Sequence, residues 1–143
     1  MTLKYLLNTI STTAINQKCI NYAAAGSDIY QLNVLRVDSY PVLFTSPTGN
    51  HQISENTTTY ELTLYYLDRL LEDNTNDIDI QSVAIEQLKN MVRHIATFDG
   101  VVNVSEEYNI TNFVETEAFN DRLCGAYCTI QVEVLNAFTC PDE

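Results

Sequence analysis

The side chains best suited to chemistry in this 143-residue chain are four cysteines, two histidines and nineteen carboxylates. The cysteines are Cys19, Cys124, Cys128 and Cys140. A zinc site usually presents two close pairs, with about two to four residues inside each pair. Only Cys124 and Cys128 are close. They share parity with Ala126, Ile130, Val132 and Val134, while Tyr127, Thr129, Gln131 and Glu133 take the other parity. Side chains alternate faces along a strand, so both cysteines fall on an apolar face as small buried thiols. All four are expected to be reduced, in preference to a metal site or a disulfide.

The carboxylates build no recognisable centre either. Acids alternate through Asp73-Asn74-Thr75-Asn76-Asp77, as in a calcium loop. The sixth position of such a loop would be Ile78 where glycine is needed, and the twelfth Ala84 where glutamate is needed. Glu106 and Glu107 are strand neighbours and point apart; Glu115 and Glu117 share a face, as solvated acids at a strand end do. His51 sits in a polar stretch and His94 near a helix end, and neither lies in a nucleophile motif. No phosphate-cradling or nucleophile-elbow glycine pattern occurs. No catalytic residue, cofactor site or metal site is expected, and the chain reads as a non-enzyme.

Charge narrows the partners. Lys and Arg total 7 against 19 Asp and Glu, a net charge of −12. Nucleic-acid binding needs cations to displace counterions from phosphates, so this surface repels a polyanion and an anionic membrane. The acid is concentrated: between Arg93 and Arg122 there is no Lys or Arg, but there are Asp99, Glu106, Glu107, Glu115, Glu117 and Asp121. Hydrophobic residues make up 45%, too many for a disordered tail, and no apolar run reaches the roughly 20 residues of a membrane helix. Met1-Thr2-Leu3-Lys4 shows no secretory leader, which makes a cytosolic product the expectation and leaves the sequons at Asn56, Asn103 and Asn109 as plain polar surface.

The elements that would position these residues follow from periodicity. Leu3, Leu6, Leu7, Ile10 and Ala14 predict a helix over 2–17, capped by Thr2. A short strand is expected at 19–24, with Ile20, Tyr22 and Ala24 on one side, then a helical turn after Asp28. Tyr40–Phe44 and 58–70 read as strands flanking a long polar loop at 45–57. In the second of these, Tyr60, Leu62, Leu64 and Tyr66 face one way. Ile80, Ala84, Leu88, Met91, Val92 and Ile95 form the stripe of a second helix, capped by Asp77 or Asp79 and stopped by Asp99-Gly100. Residues 101–115, with Val102, Val104, Tyr108 and Ile110 on one parity, and 122–135 close the chain as strands. The expectation is one α+β domain over 1–143: a mostly antiparallel sheet, two main helices and a long hairpin loop. The sheet core is expected to be Tyr60, Leu62, Leu64, Cys128, Ile130 and Val132 against the second helix. Tyr65, Leu67 and Phe113 put apolar groups on the opposite strand faces, where either a partner chain or the second helix would cover them.

The order of elements resembles the tail-terminator, or tail-completion, proteins of tailed bacteriophages. Gly26-Ser27-Asp28-Ile29-Tyr30 followed by Tyr40-Pro41, a Tyr/Leu strand ending in Leu67-Asp68, and Phe119-Asn120-Asp121-Arg122-Leu123-Cys124-Gly125 carry the likeness. The Cys/Asn/Tyr-rich composition is similar to that of neck ring proteins of crAss-like phages. The resemblance implies a structural virion subunit in a homo-oligomeric ring at the head–tail junction. It would contact portal, neck or tail proteins, DNA would pass through it only in transit, and assembly would occur in the host cytoplasm. A negative lumen suits passage of a polyanion. Candidate subunit-interface residues are Pro47, Asn50, His51 and Ile53 in the polar loop, with Tyr65, Phe113 and Phe119 on the sheet. The alternatives are another head-completion or minor virion adaptor protein, or a cytosolic small-ligand-binding protein or enzyme.

Overall fold

The computed structural model describes residues 1–33, 39–71, 75–116, 119 and 121–136. The chain is an α+β fold. Helix α1 spans Leu3–Ile15, strand β1 Tyr22–Ala25, and a 3₁₀ turn Ile29–Asn33. Strands β2 (Val42–Ile53) and β3 (Thr57–Arg69) follow, then helix α2 (Asp77–Ala96), β4 (Val101–Val104), β5 (Ile110–Glu115) and β6 (Leu123–Leu135). One sheet runs β1-β2-β3-β6-β4, with β5 also on β6. All pairings are antiparallel except β1 with β2.

Local chemistry sets the ends of these elements. Thr2 caps α1 by accepting the Tyr5 amide at 3.1 Å. Asp28 accepts the Tyr30 amide at 2.9 Å and starts the 3₁₀ turn. The N-cap of α2 is Asn76, not either aspartate. Its side chain turns backward instead, accepting from the Leu71 amide and donating to the Arg69 carbonyl. Asp77 and Asp79 still occupy the first turn, where negative charge meets the positive end of the dipole. Gly100 takes φ +88° after the helix, a conformation glycine adopts at no steric cost.

Both helices pack on one face of the sheet. Leu6, Ile10 and Ala14 of α1 and Ala84, Leu88, Met91, Val92 and Ile95 of α2 meet Leu43, Leu62, Leu64, Tyr66, Cys128, Ile130 and Val132. Tyr60 packs against the same cluster partly buried. The expected core is therefore the observed one. Cys124 and Cys128 are buried free thiols and Cys19 is an exposed one; Cys140 lies outside the described residues. Burial pushes the Cys124 thiol up and the Cys128 thiol up to about 12.

Besides the cap of α2, four expectations need correction. The polar stretch 45–57 is not a long loop. β2 continues to Ile53 and β3 begins at Thr57, so only Ser54–Asn56 turn. The turn holds because Ser54 bonds Thr57 and the Asn136 amide donates to the carbonyls of Ser54 and Glu55. Sequence polarity misleads here because these strand residues are solvated. The expected strand over 101–115 is broken into β4 and β5, both on the same side of β6. The register shift between Val101 and Asn103 turns Val102 outward and Val101 inward, while Val104, Tyr108 and Ile110 pack inward as expected. Ile20 joins the helix-side cluster, whereas Tyr22 and Ala24 pack against the other face, because the strand starts only at Tyr22. Finally, α2 does not cover the opposite sheet face. The 3₁₀ turn and Phe119 do, packing Ile29, Leu32 and Phe119 on Val42, Phe44, Leu67 and Leu123.

Candidate functional site: two interaction surfaces

The seven candidate interface residues fall into two separate groups. Pro47, Asn50, His51 and Ile53 lie on the outer half of β2. β1 pairs with β2 only as far as Thr45, so among the described residues Ser46–Ile53 has no strand on its outer side. Its inner side pairs with β3 on either side of Thr48–Asn50, and β6 pairs with β3 from Arg69 to Thr57. The hairpin is thus a strand-paired overhang rather than an irregular loop. The pairing is irregular between Pro47 and His51, where Gly49 takes φ +86° with nothing near its α-carbon substituent position. An L side chain would be strained there even though there is room for one.

Each of these four residues is placed differently. Pro47 is half-buried and, with Leu3, Lys4, Leu7, Ala25 and Gly26, lines an apolar groove of about 340 Å³ between α1 and the strand overhang. Asn50 is exposed and shares a small polar hollow with Gln52, Thr59, Glu61 and Gln131. His51 is exposed and packs edge-on against Tyr60, with ring centroids 5.3 Å apart. Ile53 is 77% exposed at the very end of the strand. Residues Ser46–Ile53 carry no Asp, Glu, Lys or Arg.

Tyr65, Phe113 and Phe119 are brought together on the face away from the helices. Tyr65 meets Phe113 at 5.9 Å and Tyr127 at 5.5 Å, and Phe113 meets Phe119 at 6.2 Å. Tyr30 stacks on Phe119 at 5.2 Å. Tyr65 and Phe113 are half-buried, and Phe119 is only 7% exposed. Phe119 is therefore a core residue that seals this face. Burial raises the Tyr65 hydroxyl above its ordinary pKa. Beside the cluster, Tyr40 donates its hydroxyl to Asp121 at 2.8 Å, and the Arg69 guanidinium sits 4.8 Å over the Tyr40 ring. Burial and the Asp121 contact push Tyr40 up to about 12. This latch ties the entry of β2 to the entry of β6, and sequence reading had no signal for it because its members lie far apart in the chain.

Chemically these surfaces offer contact area and hydrogen bonds. Among the described residues no group of three or more His, Cys, Asp or Glu is placed to hold a metal ion. No helix among them is long and apolar enough to cross a membrane. No protein-family model matches the chain, and no curated protein matches it.

Proposed function

We propose that this chain is a non-enzymatic virion subunit that assembles into a homo-oligomeric ring at the head–tail junction of a tailed phage. Portal, neck or tail proteins are its neighbours, and DNA passes through in transit. The reading rests on the likeness of element order and short motifs to tail-terminator proteins. The observation that carries the assembly part is the overhang of β2. Copies with a net charge of −12 repel one another. Contact along Ser46–Ile53, which itself carries no Asp, Glu, Lys or Arg and ends in an exposed isoleucine, adds less repulsion than contact through the acidic surface. A closed ring needs a head-to-tail contact in which this strip meets a different patch of the next copy.

The test is the mass of the purified protein by light scattering, with electron images of any rings, for wild type and Ile53→Asp. A ring of defined mass that Ile53→Asp disrupts, with an unchanged melting temperature, is the expected result. A wild-type protein that stays monomeric at high concentration overturns the ring reading. A ring that forms equally well with Ile53→Asp overturns the role of the strip.

A further inference from the structure

The open edges of the sheet are not equivalent. β1 is four residues long. The β2 overhang is interrupted by Pro47, which has no amide proton, and by the irregularity at Gly49. β4 carries a register shift. Short strands, prolines and bulges all discourage strand addition. β5 has none of these protections. Ile110–Glu115 pairs with β6 in unbroken register and contains no Pro, Gly or Lys. Among the described residues no strand pairs with its outer side. α2 packs on β3, β4 and β6, and Val114, opposite the buried Cys124, is left 53% exposed.

Charge then decides what can pair there. Glu106 and Glu107 are exposed just before β5, and Glu115 ends it. No cation occurs between Arg93 and Arg122. A second copy laid along β5 would bring its own Glu106-Glu107 segment to this edge, with no Lys or Arg between residues 94 and 121 of either chain to offset it. Like charges facing across an interface are strongly disfavoured. Among the described residues the edge is open in its backbone but disfavoured by charge for its own kind.

We propose that the outer edge of β5 accepts an extended segment of another protein whose apolar centre is flanked by lysine or arginine. Backbone hydrogen bonds along the edge supply affinity, and alternate side chains of the added strand lie beside Val114 on one face and Phe113 on the other. The flanking cations meet Glu106 and Glu107 and select the partner. The inference goes beyond the ring reading and does not depend on it, because the ring contact was placed on the uncharged β2 overhang.

The test uses two synthetic peptides, KKVTVTKK and EEVTVTEE, with hydrogen exchange of the β5 amides as the readout. Saturating KKVTVTKK is expected to slow exchange of the alternate amides of residues 110–115 that point away from β6 at least about tenfold, and EEVTVTEE to leave them unchanged. Joint replacement Glu106→Lys and Glu107→Lys should weaken the lysine peptide roughly tenfold. Val114→Lys, a surface change that leaves the core intact, should abolish the protection. The proposal is overturned if the lysine peptide binds without protecting β5 or gives no protection at saturation. It is equally overturned if the glutamate peptide protects as well, or if protection survives Val114→Lys.

Discussion

Thr45 is the one described buried side chain whose polar atom lacks a hydrogen-bond partner. It is fully buried on β2, at the point where β1 ends. A buried hydroxyl without a partner forfeits its hydration and gets nothing back, which costs on the order of 1–3 kcal/mol. Thr45→Val keeps the shape and removes the hydroxyl, so it should raise unfolding stability by about 1 kcal/mol, read from the urea midpoint. Thr45→Ser keeps the hydroxyl, removes a methyl and should be destabilising. Cys128 makes a second residue-scale case. Its thiol is raised from 9.0 to about 12 by burial. Above pH 9 the unfolded chain releases this proton while the folded chain keeps it. The folded state then binds more protons, so stability is full below pH 9 and falls as pH rises toward 12. Urea midpoints measured at pH 8, 9, 10 and 11 should decline from pH 9 onward. Cys128→Ala, though less stable throughout, should show a flatter onset. Cys124, also raised from 9.0 by burial, contributes in the same window, and the tyrosines held above 10.0, Tyr40 and Tyr66 foremost, add a further loss only above that pH.

At the scale of elements, parity is the property most open to a single test. Leu64 is fully buried against the helices, while its neighbour Thr63 meets Thr129 on the open face at 3.1 Å. Leu64→Ala should cost roughly 2–5 kcal/mol, and Thr63→Ala less than about 1 kcal/mol. Equal shifts in melting temperature would mean the strand is inverted. The inward rows of β3 and β6 and the stripe of α2 were legible in the sequence because each buries one clean face against one partner. The 45–57 stretch was not. A strand solvated at its outer edge keeps Thr, Asn, Gln and His, so its composition imitates a loop while the pairing with β3 makes it a strand. The edge over 101–115 departed at one point for a related reason: the register shift between Val101 and Asn103 swaps Val102 for Val101 on the inner face, and alternation cannot be read across an inserted residue, whereas Val104, Tyr108 and Ile110 keep the expected side. The grouping of Tyr65 with Phe113 was foreshadowed by aromatics on the outer parity. The sealing of Phe119 beneath Tyr30, and the Tyr40–Asp121–Arg69 latch, depend on contacts between segments remote in sequence, which no local pattern encodes.

At the scale of the whole molecule, charge and shape act on assembly in opposite directions. The overhang of β2 and the half-buried aromatic face supply surfaces that favour association, whereas a net charge of −12 on every copy opposes it. Repulsion between exposed charges is screened with a Debye length of about 30 Å at 0.01 M salt and about 8 Å at 0.15 M. Apolar contact is not weakened by this screening. Self-association through Ser46–Ile53 should therefore strengthen as salt rises, and light scattering should report a larger mean mass at 0.5 M sodium chloride than at 0.01 M for the same protein concentration. Binding of a lysine-flanked strand to β5 should respond the other way, because there salt screens an attraction between Glu106, Glu107 and the partner's cations. The opposed slopes distinguish the two surfaces without any mutation. If mass falls with salt, subunits are held by ion pairs, and the uncharged strip is not where copies meet.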